Sequence, residues 1–159
     1  MCPDKGTVTP TVCPPGYQCP PGAIETTPCP RGNYCPESTA YGIKCPGGFF
    51  CPGRSETYIK CLNGTYCPPG ASAMTPCPAG SFGIANPKNI DFKSSCAYCG
   101  RGMYSTQEQP ANERECKDCE PGSVCLKGCS SKTPIDIDTQ KGYQCPPGHY
   151  CPKGSYEEL

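Results

Sequence analysis

Large apolar side chains are few in this chain, and the main ones recur at a fixed interval. Tyr34, Phe50 and Tyr66 each directly precede a cysteine, and Phe82 occupies the same place one interval later. Between them lie polar residues, glycine and proline, and the prolines recur every few residues as far as Pro87, which nearly excludes helices there. The pattern predicts turns and short, irregular β-hairpins, with almost no helix.

The cysteines set the interval at sixteen residues. Leading cysteines and the glycines three positions after them keep this period, and a second cysteine follows each of the first four leading ones by six residues. The leading set is Cys13, Cys29, Cys45, Cys61 and Cys77, and the second set is Cys19, Cys35, Cys51 and Cys67. The unit is Cys-Pro-x-Gly-x-aromatic-Cys-Pro. A period this strict predicts a tandem-repeat architecture, which stacks into an elongated rod.

The Cys-Pro-x-Gly signature predicts a turn in every unit. A type I turn accommodates proline at its second position and glycine at its fourth. In Cys13-Pro14-Pro15-Gly16 the second proline would take the disfavoured third position, so that turn is alternatively centred on Pro15 and Gly16.

The regular spacing ends after Cys77 and divides the chain into three parts. Residues 1–76 contain the short repeats. Residues 77–129 form one or two longer cysteine-rich modules, in which Gly83 stands where a second cysteine is expected. Residues 130–159 form a connector and a partial repeat that starts at Cys145.

The overall composition points to a chain stabilised by disulfides. Only seventeen residues are Ile, Leu, Val or Phe, too few for an ordinary hydrophobic core, whereas eighteen are cysteine. Cysteine at this density predicts a disulfide scaffold in an extracellular or cell-surface protein. The formal net charge is zero, which gives no reason to expect nucleic acid or anionic membranes as partners. No run approaches the roughly 20 apolar residues of a membrane span, and no signal peptide is visible after Met1.

Two disulfide registers fit the short repeats, one joining cysteines six apart and the other joining cysteines ten apart. Loop-closure entropy barely separates them. The ten-apart register gives Cys2 a local partner, and we therefore favour it. It pairs Cys2–Cys13, Cys19–Cys29, Cys35–Cys45, Cys51–Cys61 and Cys67–Cys77, and leaves Cys96, Cys119, Cys125, Cys129, Cys145 and Cys151 without an assigned partner.

In this register the chain starts and stops within a unit, because Cys151 opens a unit that is not finished. This predicts either a fragment of a longer array or ends that complete each other between molecules. Open ends of that kind are what a head-to-tail filament requires.

The repeat signature, together with Cys-x-x-Cys pairs at Cys96–Cys99 and Cys116–Cys119, resembles the ephrin-receptor-type cysteine-rich repeats. Such repeats also occur in surface proteins of protists, and they are distantly similar to tumour-necrosis-factor-receptor modules. The resemblance implies elongated extracellular modules that serve as stalks, adhesion segments or filament components. It also implies the disulfides Cys77–Cys96 and Cys99–Cys116, the first of which conflicts with Cys67–Cys77.

Several other features that could carry chemistry have simpler interpretations. The two Cys-x-x-Cys pairs have the spacing of a four-thiolate zinc site, but among so many cysteines disulfides are the preferred interpretation, and we expect no metal or cofactor. His149 is alone and is interpreted as a turn residue, and Asp136 and Asp138 as a polar connector rather than a calcium site. Asn63-Gly64-Thr65 is a glycosylation sequon in a turn.

These features favour an extracellular structural protein without catalytic machinery. It would serve as a spacer or as a self-associating subunit of a surface filament. The alternative is the ligand-binding or adhesion ectodomain of a receptor, with a protein partner bound to the irregular segment 77–129.

Overall fold

The computed structural model describes residues 12–84, 88–106, 110 and 112–159. Its strands pair only with a neighbour in the sequence, so the described chain is a series of two-stranded antiparallel hairpins. The predicted small, disulfide-rich fold of tandem hairpins is confirmed.

Seven hairpins follow one another along the described chain. The first four are β1 (Tyr17–Gln18) with β2 (Thr27–Pro28), β3 (Asn33–Tyr34) with β4 (Ile43–Lys44), β5 (Phe49–Phe50) with β6 (Ile59–Lys60), and β7 (Thr65–Tyr66) with β8 (Thr75–Pro76). The last three are β9 (Ser81–Gly83) with β10 (Cys96–Tyr98), β11 (Met103–Tyr104) with β12 (Lys117–Asp118), and β13 (Ser123–Cys125) with β14 (Gly142–Gln144).

Helical structure is limited to two short segments of the described residues. They are α1 (Phe92–Ser95) and a 3-10 turn at Glu113–Glu115, which begins where the side chain of Asn112 accepts a hydrogen bond from the backbone of Arg114. Within the described ranges, neither segment has the length or the apolar character needed to cross a bilayer.

Each repeat begins with a type II turn rather than the expected type I turn. The amide of Tyr17 donates to the carbonyl of Pro14 at 3.3 Å, which places Gly16 at the third position of the turn with φ +79°. Positive φ at that position is the reason for glycine. The alternative frame considered for Pro15 and Gly16 therefore applies throughout, because the equivalent glycines, Gly32, Gly48, Gly64, Gly80, Gly102, Gly122 and Gly148, all have φ between +77° and +86°.

The disulfides join cysteines six apart, so the ten-apart register is wrong. The four short repeats and two later ones are closed by Cys13–Cys19, Cys29–Cys35, Cys45–Cys51, Cys61–Cys67, Cys119–Cys125 and Cys145–Cys151. Two longer loops are closed by Cys77–Cys96 and Cys99–Cys116, the pairs that the family resemblance implied.

The hairpin register explains why the ten-apart pairs do not form. Tyr17 lies opposite Pro28 and Gln18 opposite Thr27, so continuing the register places Cys19 three residues away from Cys29 along the hairpin. At about 3.3 Å per residue this is a separation of roughly 10 Å, beyond the reach of a disulfide. The type II turn instead brings the Cα atoms of Cys13 and Cys19 to 5.9 Å.

The six-apart register also changes the expectation for Cys151. This residue closes a unit with Cys145 instead of opening an unfinished one. Cys151 therefore gives no support to a head-to-tail filament. Cys2, which was assigned to Cys13, lies outside the described residues.

Consecutive repeats are joined by a recurring set of four backbone hydrogen bonds. Two involve the turn glycine and two involve the cysteines of the disulfide. For the second and third repeats they are Cys45 N to Gly32 O at 2.9 Å, Gly32 N to Cys51 O at 2.9 Å, Cys35 N to Ser55 O at 2.7 Å, and Arg54 N to Cys29 O at 3.0 Å. The same four bonds link the first repeat to the second and the third to the fourth.

Cysteine takes the place of the usual core residues. The buried hydrophobic residues of the described chain are fifteen cysteines and Val124, whereas Ile24, Ile43, Ile59 and Leu62 are exposed. Disulfide sulfur and backbone hydrogen bonds thus occupy the interior that aliphatic side chains fill in larger domains.

The described residues fall into two compact units. The first contains residues 12–62, 67–75 and 88–91, and the second contains 63–66, 76–84 and most of the chain from 92 onward. The boundaries expected after residues 76 and 129 stay a prediction.

Candidate functional site

Several turn glycines lie very close to the backbone of a later repeat. In the first unit, a Cβ atom built on Gly32 would lie 2.4 Å from the carbonyl oxygen of Gly70, two repeats further on. In the second unit, a Cβ on Gly102 would lie 2.2 Å from the carbonyl oxygen of Gly154. Glycine is therefore required both for its positive φ and for the space at this contact.

The longer modules keep the repeat geometry with a different disulfide. Position 105, six residues after Cys99, is a buried serine, yet its amide donates to the carbonyl of Cys129 at 3.1 Å as a second cysteine would. Cys99 pairs with Cys116 instead, across a hairpin whose loop is longer. The backbone position of the missing second cysteine is thus retained, and the disulfide partner is instead Cys116, directly before β12.

In the first compact unit, Asn89 makes hydrogen bonds that backbone groups make in the regular repeats. Its side-chain amide donates to the carbonyl of Cys61 at 3.2 Å, the role played by the backbone amide of Gly70 toward Cys45. The backbone carbonyl of Asn89 accepts a hydrogen bond from the backbone amide of Cys67 at 2.8 Å. Asn89 has φ +44° and is almost fully buried, which fits a residue that mimics the turn of the next repeat.

Cys129 is the one free cysteine of the described residues, and it is buried. It lies in a cluster with the Cys119–Cys125 disulfide, and its thiol donates to the carbonyl of Ser131 at 3.1 Å. Burial raises the pKa of the Cys129 thiol above its usual value. A buried thiol of raised pKa is a poor nucleophile, so this residue has the properties of a structural cysteine.

The four cysteines with zinc-like spacing are all in disulfides. Cys96 pairs with Cys77, Cys99 with Cys116, and Cys119 with Cys125. No group of three or more metal-binding side chains comes together anywhere in the part of the chain that the structure describes.

The remaining candidate residues lie on the surface. His149 is exposed in a turn, where its amide donates to the carbonyl of Pro146. The carboxylate of Asp136 accepts from the amides of Asp138 and Thr139 at 2.8 and 3.0 Å, and these hydrogen bonds lower the pKa of Asp136. Asp136 therefore caps a local turn of the connector.

The sequon occupies the turn of the fourth repeat. Asn63 is exposed at the second position of that turn, and Gly64 follows it with φ +77°. Thr65 begins β7 and is only 1% exposed. The structure thus places the acceptor amide in solvent and the hydroxyl of the same sequon inside the fold.

An open groove of 430 Å³ lies on the second unit. It is lined mainly by Met103, Tyr104, Lys117, Asp118 and Lys153. Lys153 and Asp118 approach to 3.8 Å across it, and both side chains remain largely exposed. The lining of the groove is therefore mainly polar and charged, with Met103 and Tyr104 as its large apolar side chains.

Sequence reasoning missed the second turn of each repeat, which follows the second cysteine. Gly22 and Gly70 occupy its positive-φ position, and Ser38 and Arg54 occupy the same place with φ +64° and +51°. The signal was present, because all four residues come three positions after a second cysteine. Asn89 could not be found in this way, since the spacing changes around it.

Neither the scan against protein-family models nor the search of curated proteins finds a match to this chain.

Proposed function

We propose that this chain is a structural protein of the cell exterior, acting as a spacer or as a subunit of a surface filament. The coarser part of this statement rests on the disulfides: eight of them close loops in the described chain, which indicates an extracellular or secreted protein. The proposal assigns the chain no catalytic role.

The observation that carries the proposal is the repeated link between consecutive repeats. Each complete link contains four backbone hydrogen bonds, and each repeat is closed by its own disulfide. At a net contribution of roughly 1 kcal/mol per hydrogen bond, four bonds and a covalent closure resist local opening within a unit. A mechanical role uses this property directly, since a spacer has to hold its repeats in register under load.

Solution scattering tests the spacer. The proposal requires an extended chain, with a radius of gyration of roughly 30 Å for a rod roughly 100 Å long, against about 15 Å for a compact globule of this length. A value near the compact limit would overturn the spacer. Molar mass by light scattering at increasing concentration separates a monomeric spacer from a filament subunit.

A receptor ectodomain is the second candidate, and the groove on the second unit favours it. Tyr104 and Lys117 line this groove, and both belong to the irregular segment where a ligand site was expected. The family resemblance is compatible with either function, because the same kind of repeat serves as a spacer in one protein and as a binding module in another. Saturable binding of a cell-surface protein that is lost in Lys117→Glu, and retained in the exposed control Lys44→Glu in the first unit, would favour the receptor.

A further inference from the structure

The sequon at Asn63 is divided by the fold into an accessible half and an inaccessible half. The Asn63 side chain is exposed, whereas Thr65 is 1% exposed and lies in β7. Transfer of an N-linked glycan needs both residues, because the acceptor is the asparagine amide and the hydroxyl two positions later is part of the recognised motif. The folded repeat therefore no longer presents a complete acceptor.

The position of Asn63 tolerates a large substituent once the repeat has formed. The equivalent turn position holds Pro15, Arg31, Pro121 and Pro147 in other repeats, and it is exposed in each of them. The contacts between repeats are made instead by the neighbouring glycine, as Gly64 shows by accepting a hydrogen bond from the amide of Cys77 at 2.7 Å. A glycan on Asn63 would thus extend into solvent without displacing a packed group.

The sequon is also enclosed by a disulfide. Asn63 and Thr65 lie between Cys61 and Cys67, which are joined in the structure. Closing this short loop fixes the turn and withdraws the threonine hydroxyl. Disulfide formation takes seconds or longer, whereas the chain is synthesised at roughly 5–20 residues per second. A period therefore exists in which the sequon has been made and the loop is still open.

We propose that Asn63 carries an N-linked glycan that is attached before the Cys61–Cys67 disulfide closes, so that closure and glycosylation compete. This inference rests on the extracellular location in the proposed function. It adds a modification site and a time order to that proposal, and it leaves the mechanical role of the repeats unchanged.

To test this, the full chain is expressed in the secretory pathway of a eukaryotic cell. The fraction of Asn63 that carries a glycan is measured by enzymatic deglycosylation and peptide mass spectrometry. The unmodified sequence is expected to be glycosylated in part, and Asn63→Gln to lose the glycan entirely. The double variant Cys61→Ala/Cys67→Ala is expected to be occupied nearly completely. The matched control Cys29→Ala/Cys35→Ala removes an equivalent disulfide from a repeat without this sequon, and it should leave Asn63 occupancy unchanged.

Three outcomes would overturn the inference. They are an unglycosylated Asn63 in both the unmodified chain and the Cys61/Cys67 variant, complete occupancy that does not respond to the disulfide, and an equal increase in the Cys29/Cys35 control. An Asn-Gly-Thr tripeptide added after Leu159 reports whether the chain reached the glycosylating compartment, so that a bare Asn63 beside a modified tag counts against Asn63 alone. The proposed structural role is measured separately, as the radius of gyration of Asn63→Gln.

Discussion

The short repeats and the longer modules use the same backbone links but close their loops with different disulfides. In the short repeats, Cys29 pairs with Cys35, six residues later, whereas in the longer module Cys99 pairs with Cys116, seventeen residues later. The glycine links are nevertheless equivalent, since Gly32 donates to Cys51 at 2.9 Å and Gly102 donates to Cys125 at 2.8 Å.

The second cysteine of a repeat can be replaced, whereas the turn glycine is always present. The second cysteine can be exchanged for Ser105 or Gly83, provided that another pair of cysteines closes the loop. The turn glycine is present at every equivalent position, because each one has a positive φ, and at positions such as Gly32 and Gly102 the lack of a side chain is needed as well. The turn and its links therefore define the repeat, and the disulfide stabilises it from either of two places.

The largest expected effect follows from adding a single carbon to a turn glycine. Gly102→Ala should lower the free energy of unfolding by roughly 2–4 kcal/mol, because alanine at φ +77° is strained and its Cβ would lie 2.2 Å from the carbonyl oxygen of Gly154. Gly32→Ala in the short repeats should cost a similar amount. Denaturant unfolding with the disulfides intact measures both.

Gly122→Ala is the matched control for this prediction. Gly122 has φ +81° in an equivalent turn, but a Cβ there meets no atom within 4 Å. It should cost only the backbone strain, roughly 1–2 kcal/mol. Equal losses for Gly102→Ala and Gly122→Ala would show that the close approach between repeats contributes nothing.

Removing one disulfide from each kind of repeat compares the two positions of the covalent closure. Loop-closure entropy predicts a loss of roughly 3 kcal/mol for Cys99→Ala/Cys116→Ala and roughly 2 kcal/mol for Cys29→Ala/Cys35→Ala, because the first loop is longer. Thermal and denaturant unfolding of the two double variants measure this difference. A larger loss of stability for Cys29→Ala/Cys35→Ala would contradict the view that both disulfides stabilise their repeats through loop closure.

Asn89 tests how the regular pattern is maintained where the spacing changes. Asn89→Ala should cost about 2 kcal/mol, since it leaves the carbonyl of Cys61 without the amide donor at 3.2 Å and places alanine at φ +44°. Asn89→Gly removes the same hydrogen bond but relieves the backbone, so it should cost less. If Asn89→Gly cost as much as Asn89→Ala, the positive φ of residue 89 would carry no strain.

The hairpins, the near absence of helix and the replacement of a core by cysteine could be predicted because each depends on local chemistry. Prolines at short intervals exclude helices, and glycine at a fixed position in every unit marks a turn. Exposure of Asn63 followed from the same reasoning, since it lies in one of these turns.

The disulfide register could not be predicted, because it depends on a distance that appears only when the hairpin forms. Loop entropies for six and ten residues are nearly equal, and counting cysteines pointed the wrong way by giving Cys2 a partner. The free thiol of Cys129 was hidden for the same reason: Cys125 lies six residues and Cys129 ten residues after Cys119, so the register decides which of the two is paired.

The smallest expected effect concerns the second turn, where glycine and serine occupy equivalent positions. Ser38 has φ +64° and its amide donates to the carbonyl of Cys13 at 2.9 Å, while Gly22 has φ +83° and no neighbour near a built Cβ. Ser38→Gly keeps the hydrogen bond and relieves the strain, so it should stabilise the chain by roughly 0.5 kcal/mol after the entropy of glycine in the unfolded state is subtracted. Gly22→Ser should destabilise it by about 1 kcal/mol.

Denaturant unfolding measures the effect of both substitutions in the second turn. Opposite signs for Ser38→Gly and Gly22→Ser would show that the backbone conformation at this position sets the preference for glycine. A loss of stability in both would instead mean that the Ser38 side chain contributes more than its strained backbone costs.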